Sequence, residues 1–213
     1  MVSMRGSLII VEGVDRSGKS TQSANLVARL NKAKPESAVA WRFPDRTTPT
    51  GLLINSYLSN AADFDDRTIH LLFAANRAEA MAKLKQTLLD GKTVVVDRYA
   101  FSGVAYTLAK ETAGLDKNWC KAVDAGILQP DLVFFLDIPT VDASLRGDYG
   151  AERYERVDFQ EKVRSRFLDL EDERYWVILN ARESKETLAE RILELANTTI
   201  QQSANKPLLP LWQ

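Results

Sequence analysis

Short apolar strands alternate with longer helical segments along the chain, and this alternation predicts an α/β fold. Five runs read as strands and lie at 8–11, 39–43, 93–97, 132–137 and 176–179. Their apolar residues are continuous rather than alternating with polar ones, which indicates a parallel sheet that helices cover on both faces. The segments between them read as helices at 21–31, 50–59, 66–90, 99–111, 117–125, 158–172 and 185–202. The sequence therefore predicts a three-layer fold around a five-stranded parallel sheet.

Amphipathic stripes support two of these helices. Val163 and Phe167 fall on one face of the sixth helix, and Leu188 and Ile192 do the same in the last one. A spacing of four residues keeps side chains on one helix face, where they can pack against a sheet. The apolar, proline-broken tail at 206–212 follows, and we expect it to pack back on the body of the protein.

The composition is that of one folded domain spanning residues 1–213, because 45% hydrophobic content can fill a core. Lys and Arg number 28 against 29 Asp and Glu, so no globally basic surface indicates a nucleic-acid partner. Cys120 is the sole cysteine, which excludes an intrachain disulfide, and we expect a buried, unreactive thiol. No apolar run approaches the roughly 20 residues of a membrane helix. Residues 1–5 lead straight into the first strand without a signal peptide, so we expect a cytoplasmic protein.

Residues 13–20, with the sequence GVDRSGKS, form a complete phosphate-binding loop. A strand precedes the loop and a helix follows it, which is the context that the pattern requires. The glycines let backbone amides turn towards a phosphate, and the positive end of the helix adds to the attraction. Lys19 supplies a charge to the outer phosphates, and the Ser20 hydroxyl ligates Mg²⁺. The sequence therefore predicts a P-loop NTPase fold that binds a nucleoside triphosphate.

Charged residues follow the strands at their carboxyl ends, where ligands bind in such sheets. Asp97 ends an apolar strand, and a magnesium ion best explains a carboxylate there. Arg46 and Arg98 also follow strands, and Arg16 lies within the P-loop. Two polyanions repel each other unless fixed cations lie between them, so these arginines favour an acceptor that is itself a phosphate monoester. Such an acceptor needs no general base, which agrees with a single histidine, His70, that we expect to be packed.

Several longer motifs resemble those of thymidylate kinases, in the same order and at similar spacing over nearly the whole chain. They are Phe43-Pro44-Asp45-Arg46, 71–77, 96–106, Gln129-Pro130-Asp131 and Glu152-Arg153-Tyr154-Glu155. The segment from Asp97 to Ala105 is much more specific than a P-loop, which many families share. The resemblance implies the P-loop NTPase fold of that family, transfer of the γ-phosphoryl group of Mg-ATP to dTMP, and a homodimer.

The resemblance also implies roles for individual residues. Catalysis falls to Arg16, Lys19, Asp97 and Arg98, and Mg²⁺ binding to Ser20 and Asp97. The residues implied to contact ATP are Arg16, Ser17, Gly18, Lys19, Ser20, Thr21, Arg146 and Arg182. The residues implied to contact dTMP are Asp15, Phe43, Arg46, Phe73, Arg77, Arg98, Ser102, Gly103, Tyr106, Tyr154 and Gln160. A short lid at about 146–157 is implied to close over ATP.

Within that set, Phe73 and Arg77 are four residues apart and share a helix face. The resemblance implies that the Phe73 ring stacks on thymine and that the Arg77 guanidinium donates to the thymine keto oxygen. Cytosine carries an amino group at that position, so two donors would face each other. We therefore expect the site to reject cytosine. By the same resemblance Asp15 reaches the sugar hydroxyl, and Tyr154 crowds the position of a ribose hydroxyl.

Three other functions remain open at this point. A nucleoside kinase would need a general base, for which Glu12 or Asp97 could serve. A UMP or CMP kinase would require Phe73 and Arg77 to read a different base edge. A nucleotide-responsive switch would bind a triphosphate without transferring phosphate.

The division of catalytic charge also stays open, because Arg153 in the lid could share the task of Arg16. The chain departs from the commonest pattern of the family at Ala78, Gln129 and Asn180. These departures concern adenine contacts and helix packing and leave the phosphate contacts unchanged.

Overall fold

A computed structural model describes residues 4–146, 150 and 152–213 of the chain. The strands in these ranges are β1 (Leu8–Glu12), β2 (Ala38–Arg42), β3 (Thr93–Asp97), β4 (Leu132–Asp137) and β5 (Trp176–Asn180). They form one parallel sheet in the order β2-β3-β1-β4-β5, which confirms the predicted sheet. Residues 147–149 and 151 of the predicted lid, and residues 1–3 of the opening segment, lie outside the described residues.

The described helices agree with the predicted ones except in length and in one short element. They are α1 (Lys19–Ala33), α2 (Pro49–Leu58), α3 (Asp66–Leu89), α4 (Ala100–Leu108), α5 (Lys117–Val123), α6 (Thr140–Ser144), α7 (Val157–Leu168) and α8 (Lys185–Ser203). The sequence pattern does not predict α6, because five residues are too few to display a helical repeat. The predicted extension of the sixth helix to residue 172 is wrong, because Asp169 caps α7 and the chain then turns towards β5.

The sheet lies at the centre of the core, and the predicted helix stripes pack against it. Val163 and Phe167 of α7 are fully buried. Leu188 and Ile192 of α8 are buried as well, with at most 3% of each residue exposed. The ring of Phe167 lies on that of Phe135 in β4, with 5.2 Å between centroids. Within the described ranges, no helix combines the length and the apolarity needed to cross a membrane.

The pairing of β1 with β3 positions the functional edge of the sheet. Val11 of β1 is the register partner of Asp97 in β3. The backbone amide of Arg98 donates to the carbonyl oxygen of Val11 at 3.1 Å. Because the two strands are parallel, the residues that follow them meet at one edge, and these are the P-loop after β1 and Arg98 after β3.

The carboxyl-terminal tail packs on the body as the sequence predicts. The amide of Leu211 donates to the carbonyl of Ile127 at 2.7 Å, and its own carbonyl accepts from Gly126 at 2.9 Å. Its side chain is buried. Next to it, the ring of Trp212 meets the edge of Phe101 with 5.4 Å between centroids. Leu211 is therefore the anchor of the tail.

Replacing this anchor should destabilise the fold. We expect Leu211→Ala to lower the free energy of unfolding by about 2–5 kcal/mol, because a buried side chain leaves a cavity. Leu209 lies in the same tail and is 50% exposed, so it provides a matched control. Leu209→Ala should change the free energy of unfolding by less than about 0.5 kcal/mol. Urea unfolding measures both values, and equal losses would contradict the anchoring role.

Candidate active site

A cleft of about 680 Å³ opens at the carboxyl edge of the sheet. The P-loop and the start of α1 form one wall, and α3 and α4 form the other. Most of the sequence-predicted site residues line it, namely Asp15, Arg16, Ser17, Gly18, Lys19, Ser20, Thr21, Phe43, Arg46, Phe73, Arg77, Arg98, Ser102, Gly103, Tyr106, Arg146 and Tyr154. Three of them, Asp97, Gln160 and Arg182, do not line the cleft.

The P-loop curls tightly around its lysine. Gly13 has a φ of 150°, and a Cβ atom there would lie 2.6 Å from the Ser17 hydroxyl, so only glycine fits the turn. The ammonium of Lys19 is buried and donates to the carbonyl oxygen of Val14 at 2.6 Å. Burial lowers the pKa of Lys19 to about 7, and the nearby Arg98 charge acts in the same direction. Anionic phosphates favour the charged form of such a lysine, so the loop is built to bind them.

Asp97 and Ser20 form a site with room for a hard cation. The Ser20 hydroxyl donates to Oδ2 of Asp97 at 2.5 Å. The other carboxylate oxygen, Oδ1, is buried without a hydrogen-bond partner among the described residues. In the part of the chain that the structure describes, no three His, Cys, Asp or Glu side chains gather as metal ligands. A cation that takes few protein ligands and completes its shell with phosphates and water, as Mg²⁺ does, fits this pair.

Arg98 lies at the junction between the P-loop and α4, with its backbone in the left-handed region at a φ of 70°. Its guanidinium forms an ion pair with Asp15 and stacks over the Tyr106 ring at 5.4 Å. Burial opposes ionisation of Asp15, but the charges of Arg98 and Lys19 prevail and lower its pKa. Gln160 holds Asp15 from the other side, through Nε2 to Oδ2 at 2.7 Å and Oε1 to the backbone amide at 2.9 Å. Gln160 therefore acts on the site through Asp15 rather than by lining the cleft.

Two glutamates of the predicted lid contact the other arginines of the cleft. Arg46 pairs with Glu152 at 2.8 Å, and Arg16 pairs with Glu155 at 3.2 Å. Arg153, between these glutamates in sequence, points elsewhere. Its Nε donates to a backbone carbonyl of α2 at 2.8 Å, and its guanidinium lies 4.0 Å from a tyrosine ring centroid. Arg16 therefore lines the cleft at the P-loop, whereas the Arg153 side chain is bound at α2.

Besides Arg16, two further arginines are predicted to contact ATP, and they differ in position. Arg146 bridges two backbone carbonyls across the cleft, those of Arg16 at 3.1 Å and Ala181 at 2.7 Å. Arg182 instead forms an ion pair with Asp142, and its side chain is 58% exposed. The resemblance implies an ATP contact for Arg182, but this ion pair holds its side chain at Asp142, and Arg182 does not line the cleft.

The opposite wall holds the predicted base-binding residues. Phe73 is partly buried and lines the cleft, as does Tyr154, which stacks on Phe159 at 5.2 Å. Phe43 is buried against Tyr99, with 6.0 Å between centroids, and the peptide bond that follows it is cis. The wall is therefore largely aromatic.

The side chain of Arg77 is almost completely buried. Only 2% of its side chain is exposed, and it forms a bidentate ion pair with Asp124 at 2.8 and 2.6 Å. It still lines the cleft, as does the neighbouring Gly103. The sequence did not reveal Asp124, which lies 47 residues away and carries no motif signal.

Glu12, which the sequence analysis considers as a general base for a nucleoside kinase, is bound to the start of α4. It accepts hydrogen bonds from the amides of Tyr99 and Ser102 at 2.8 and 3.1 Å and from the Ser102 hydroxyl at 2.6 Å. Burial raises its pKa above 4.5. Because both carboxylate oxygens are engaged, Glu12 braces the first turn of α4 and is poorly placed as a general base. Its only sequence signal is its position at the end of β1.

The sequence contains one histidine and one cysteine, and both are buried in the fold, as the sequence predicts. The two ring nitrogens of His70 lie 2.7 Å from the Thr107 hydroxyl and 3.1 Å from the Cys120 carbonyl oxygen. Burial lowers the pKa of His70. Burial also raises the pKa of the Cys120 thiol to about 11, which makes it a poor nucleophile.

Comparisons with known proteins show the family to which the chain is similar. Residues 11–192 match the family model described as thymidylate kinase. A thymidylate kinase of Arabidopsis thaliana is 47% identical over 212 residues, covering 99% of this chain and 79% of that protein. One from Homo sapiens is 46% identical over 215 residues and covers both chains fully. The solved structure of thymidylate kinase from Candida albicans has a TM-score of 0.87 at 34% identity, covering 98% of this chain and 99% of that one.

The raised pKa of Glu12 makes the stability of the fold pH-dependent. A carboxyl with a raised pKa in the folded state contributes stability below its ordinary pKa of 4.5, and this contribution is lost as the pH rises through the folded value. Glu12→Gln keeps the acceptors for both amides but cannot ionise. We therefore expect its stability relative to the parent protein to increase as the pH rises above about 4.5.

Urea midpoints between about pH 4.5 and 8 measure this difference. The control is Glu190→Gln, which alters an exposed carboxyl paired with Arg29 on the surface. Its curve should run parallel to that of the parent protein, and a parallel curve for Glu12→Gln would contradict the prediction.

Proposed function

The chain belongs to the thymidylate kinase family and phosphorylates dTMP with ATP to give dTDP and ADP, and from this premise we propose how its side chains divide the task. The observation that carries the proposal is the convergence of Arg16, Lys19, Arg46 and Arg98 on one cleft. Two phosphate-bearing substrates repel each other at close range, and fixed cations between them cancel this repulsion.

Arg46 and Arg98 hold the phosphate of dTMP. Each follows a strand at the carboxyl edge, and each already pairs with a carboxylate that a phosphate can replace. The acceptor oxygen needs no general base, because a phosphate monoester is largely ionised near neutral pH. This agrees with the full engagement of Glu12 and supports a phosphate acceptor over a neutral hydroxyl.

Arg16 and Lys19 stabilise the charge on the transferring group. Lys19 lies at the base of the P-loop, and Arg16 projects from the same loop. Charge spreads over the equatorial oxygens as transfer begins, so donors fixed on the loop act most strongly at that point. Arg153 is bound to backbone carbonyls near α2 and is not given a share of this task.

Ser20 and Asp97 hold Mg²⁺ with ATP. The unpartnered Oδ1 of Asp97 and the adjacent Ser20 hydroxyl support this assignment. Bound there, the ion neutralises charge on the outer phosphates of ATP.

The ATP side is formed by the backbone amides of residues 13–20 and by Arg146, which contacts the loop after β5. Arg182 is left out, because its side chain turns to Asp142. The described part of the 146–157 segment covers the cleft with Glu152, Tyr154 and Glu155. Such a cover excludes water, which would otherwise accept the phosphoryl group.

The nucleoside of dTMP lies along the aromatic wall. Phe73 stacks on the thymine ring, and Arg77 donates to its keto oxygen beside Ser102. Asp15, held by Gln160, accepts from the sugar hydroxyl. Tyr106 and Tyr154 lie beside it, and their rings, 5.3 Å apart, leave little room for a ribose 2′-hydroxyl. The remaining predicted contacts, Phe43 and Gly103, shape the pocket around these groups.

The assembly and location belong to the same proposal. Residues 1–213 act as one domain in the cytoplasm, and two chains form a homodimer. Leu52 and Leu53 of α2 and Leu71 of α3 are exposed and apolar, which gives such a dimer a helical face to bury.

Side-by-side assays test the function. Mg-ATP-dependent ADP production is measured with dTMP, dUMP, UMP, dCMP and thymidine. We expect activity on dTMP, lower activity on dUMP by about 10–200-fold for the missing methyl group, and negligible activity on thymidine. Equal activity on thymidine would overturn the charge argument, and inactivity on all five would leave a nucleotide binder.

Arg16→Ala should lower kcat by about 10³-fold or more while KM for ATP stays within about threefold, since the charge acts mainly in the transition state. Arg153→Ala is the matched comparison, because it removes a nearby arginine that does not reach the P-loop. Steady-state kinetics of both variants decide the assignment. If Arg153→Ala loses more turnover than Arg16→Ala, the catalytic charge comes from the lid instead.

Phe73→Ala should raise KM for dTMP by about 5–100-fold, the range expected when one base loses its stacking partner. KM for ATP should change little, because ATP occupies the other wall. Phe64→Ala is the control, since Phe64 packs on the same apolar cluster but does not line the cleft. Equal changes in both KM values for Phe73→Ala would make the ring a core residue.

A further inference from the structure

The end of α5 holds α3 at two points that are seven residues apart. The carbonyl oxygen of Cys120 lies 3.1 Å from Nε2 of His70. One turn later, Asp124 caps α5 and accepts two hydrogen bonds from Arg77, from Nε to Oδ1 and from Nη2 to Oδ2. Only 1% of the Asp124 side chain and 2% of the Arg77 side chain are exposed. Seven residues are two helical turns, so both contacts lie on one face of α3.

Gly103 on α4 lies in close contact with the guanidinium of Arg77. A Cβ atom on Gly103 would lie 2.9 Å from Nη2 of Arg77, 3.3 Å from Nη1 and 3.4 Å from Cζ. Glycine inside a helix is unfavourable by about 1 kcal/mol relative to alanine, and close approach of another group is one reason to keep it there. The guanidinium is thus held between the Asp124 carboxylate and the α4 backbone.

These contacts fix the orientation of the guanidinium. Asp124 engages Nε and Nη2, and it leaves Nη1 for another acceptor. The fork of a guanidinium is planar and rigid, so fixing two nitrogens fixes the direction of the third. Both Arg77 and Gly103 line the cleft. Arginine carries donors only, and so this edge accepts a keto oxygen and rejects an amino group.

We propose that Asp124 is a positioning residue for base selection, which orients Arg77 so that Nη1 reads the 4-keto group of the pyrimidine. The proposal rests on the base-reading role of Arg77 given above. Asp124 does not touch the substrate and acts only through this guanidinium. Without the carboxylate, Arg77 keeps its charge but loses its fixed direction, and selection between keto and amino bases weakens.

Asp124→Asn is the first test, because asparagine is similar in size but can no longer accept a bidentate charged pair. We expect KM for dTMP to rise about tenfold or more, KM for ATP to stay within about twofold, and the kcat/KM preference for dTMP over dCMP to fall about tenfold or more. The matched control is Asp131→Asn, which breaks another bidentate pair, with Arg5, that is largely buried and lies away from the cleft. Thermal unfolding of both variants separates loss of stability from loss of selection.

Gly103→Ala is the second test and leaves the ion pair chemically intact. The added methyl group displaces the guanidinium, while alanine favours the α4 helix. We expect the same loss of preference for dTMP over dCMP, with a smaller loss of stability than Asp124→Asn brings, because both charges of the pair are retained. This variant keeps the proposal testable if Asp124→Asn does not fold.

A double-mutant comparison with Arg77→Gln tests whether Asp124 acts through Arg77. In the Arg77→Gln background, Asp124→Asn should cause no further loss of base preference. If Arg77→Gln leaves the preference unchanged, the base-reading role itself is wrong. If Arg77→Gln abolishes the preference but Asp124→Asn changes it no more than Asp131→Asn does, the positioning role alone is overturned. Additive losses would also overturn it.

Discussion

Transfer of a phosphoryl group between two polyanions requires fixed positive charge at the place where their phosphates meet. In this chain the charge comes from the segments that follow β1, β2 and β3, which carry Lys19, Arg46 and Arg98 respectively. Parallel pairing ends these strands at one edge, and the register of Val11 with Asp97 places two of these segments side by side. The buried sheet therefore does more than stabilise the fold, because its register sets the distances between the charges.

Cations gathered in a partly buried cleft destabilise a protein unless anions lie beside them. Carboxylates meet this requirement here, because Arg16, Arg46 and Arg98 each have one as a partner. A substrate phosphate that binds therefore exchanges one anionic partner for another, and the arginines keep their charge and much of their orientation. Two of these carboxylates come from the lid segment, so phosphate binding and lid contacts use the same side chains. The pairs are Asp15 with Arg98, Glu152 with Arg46 and Glu155 with Arg16.

The parts of the site that the sequence predicts are local or depend on strand ends. Residues 13–20 are contiguous, and parallel topology brings the strand ends together whatever the details of packing. The partner of Arg77 could not be predicted, because it lies 47 residues away on a short helix and only helix packing brings it close. The contacts of Glu12 span about 90 residues for the same reason. The resemblance implies that Arg182 contacts ATP, but an ion pair with Asp142 holds its side chain, and the sequence carries no signal of that pair.

Helix α4 contacts both the strand that precedes the P-loop and the arginine on the base side of the cleft. Ser102 is held by Glu12 through its amide and its hydroxyl, and this contact ties the first turn of α4 to the end of β1. The next residue, Gly103, faces the guanidinium of Arg77 on the base side. A change that rotates or shifts α4 therefore disturbs phosphate binding and base selection together. A change at Asp124 acts on the guanidinium alone, because it leaves the contact between Glu12 and α4 intact. Base selection can consequently vary within this architecture while the phosphate-transfer geometry is kept.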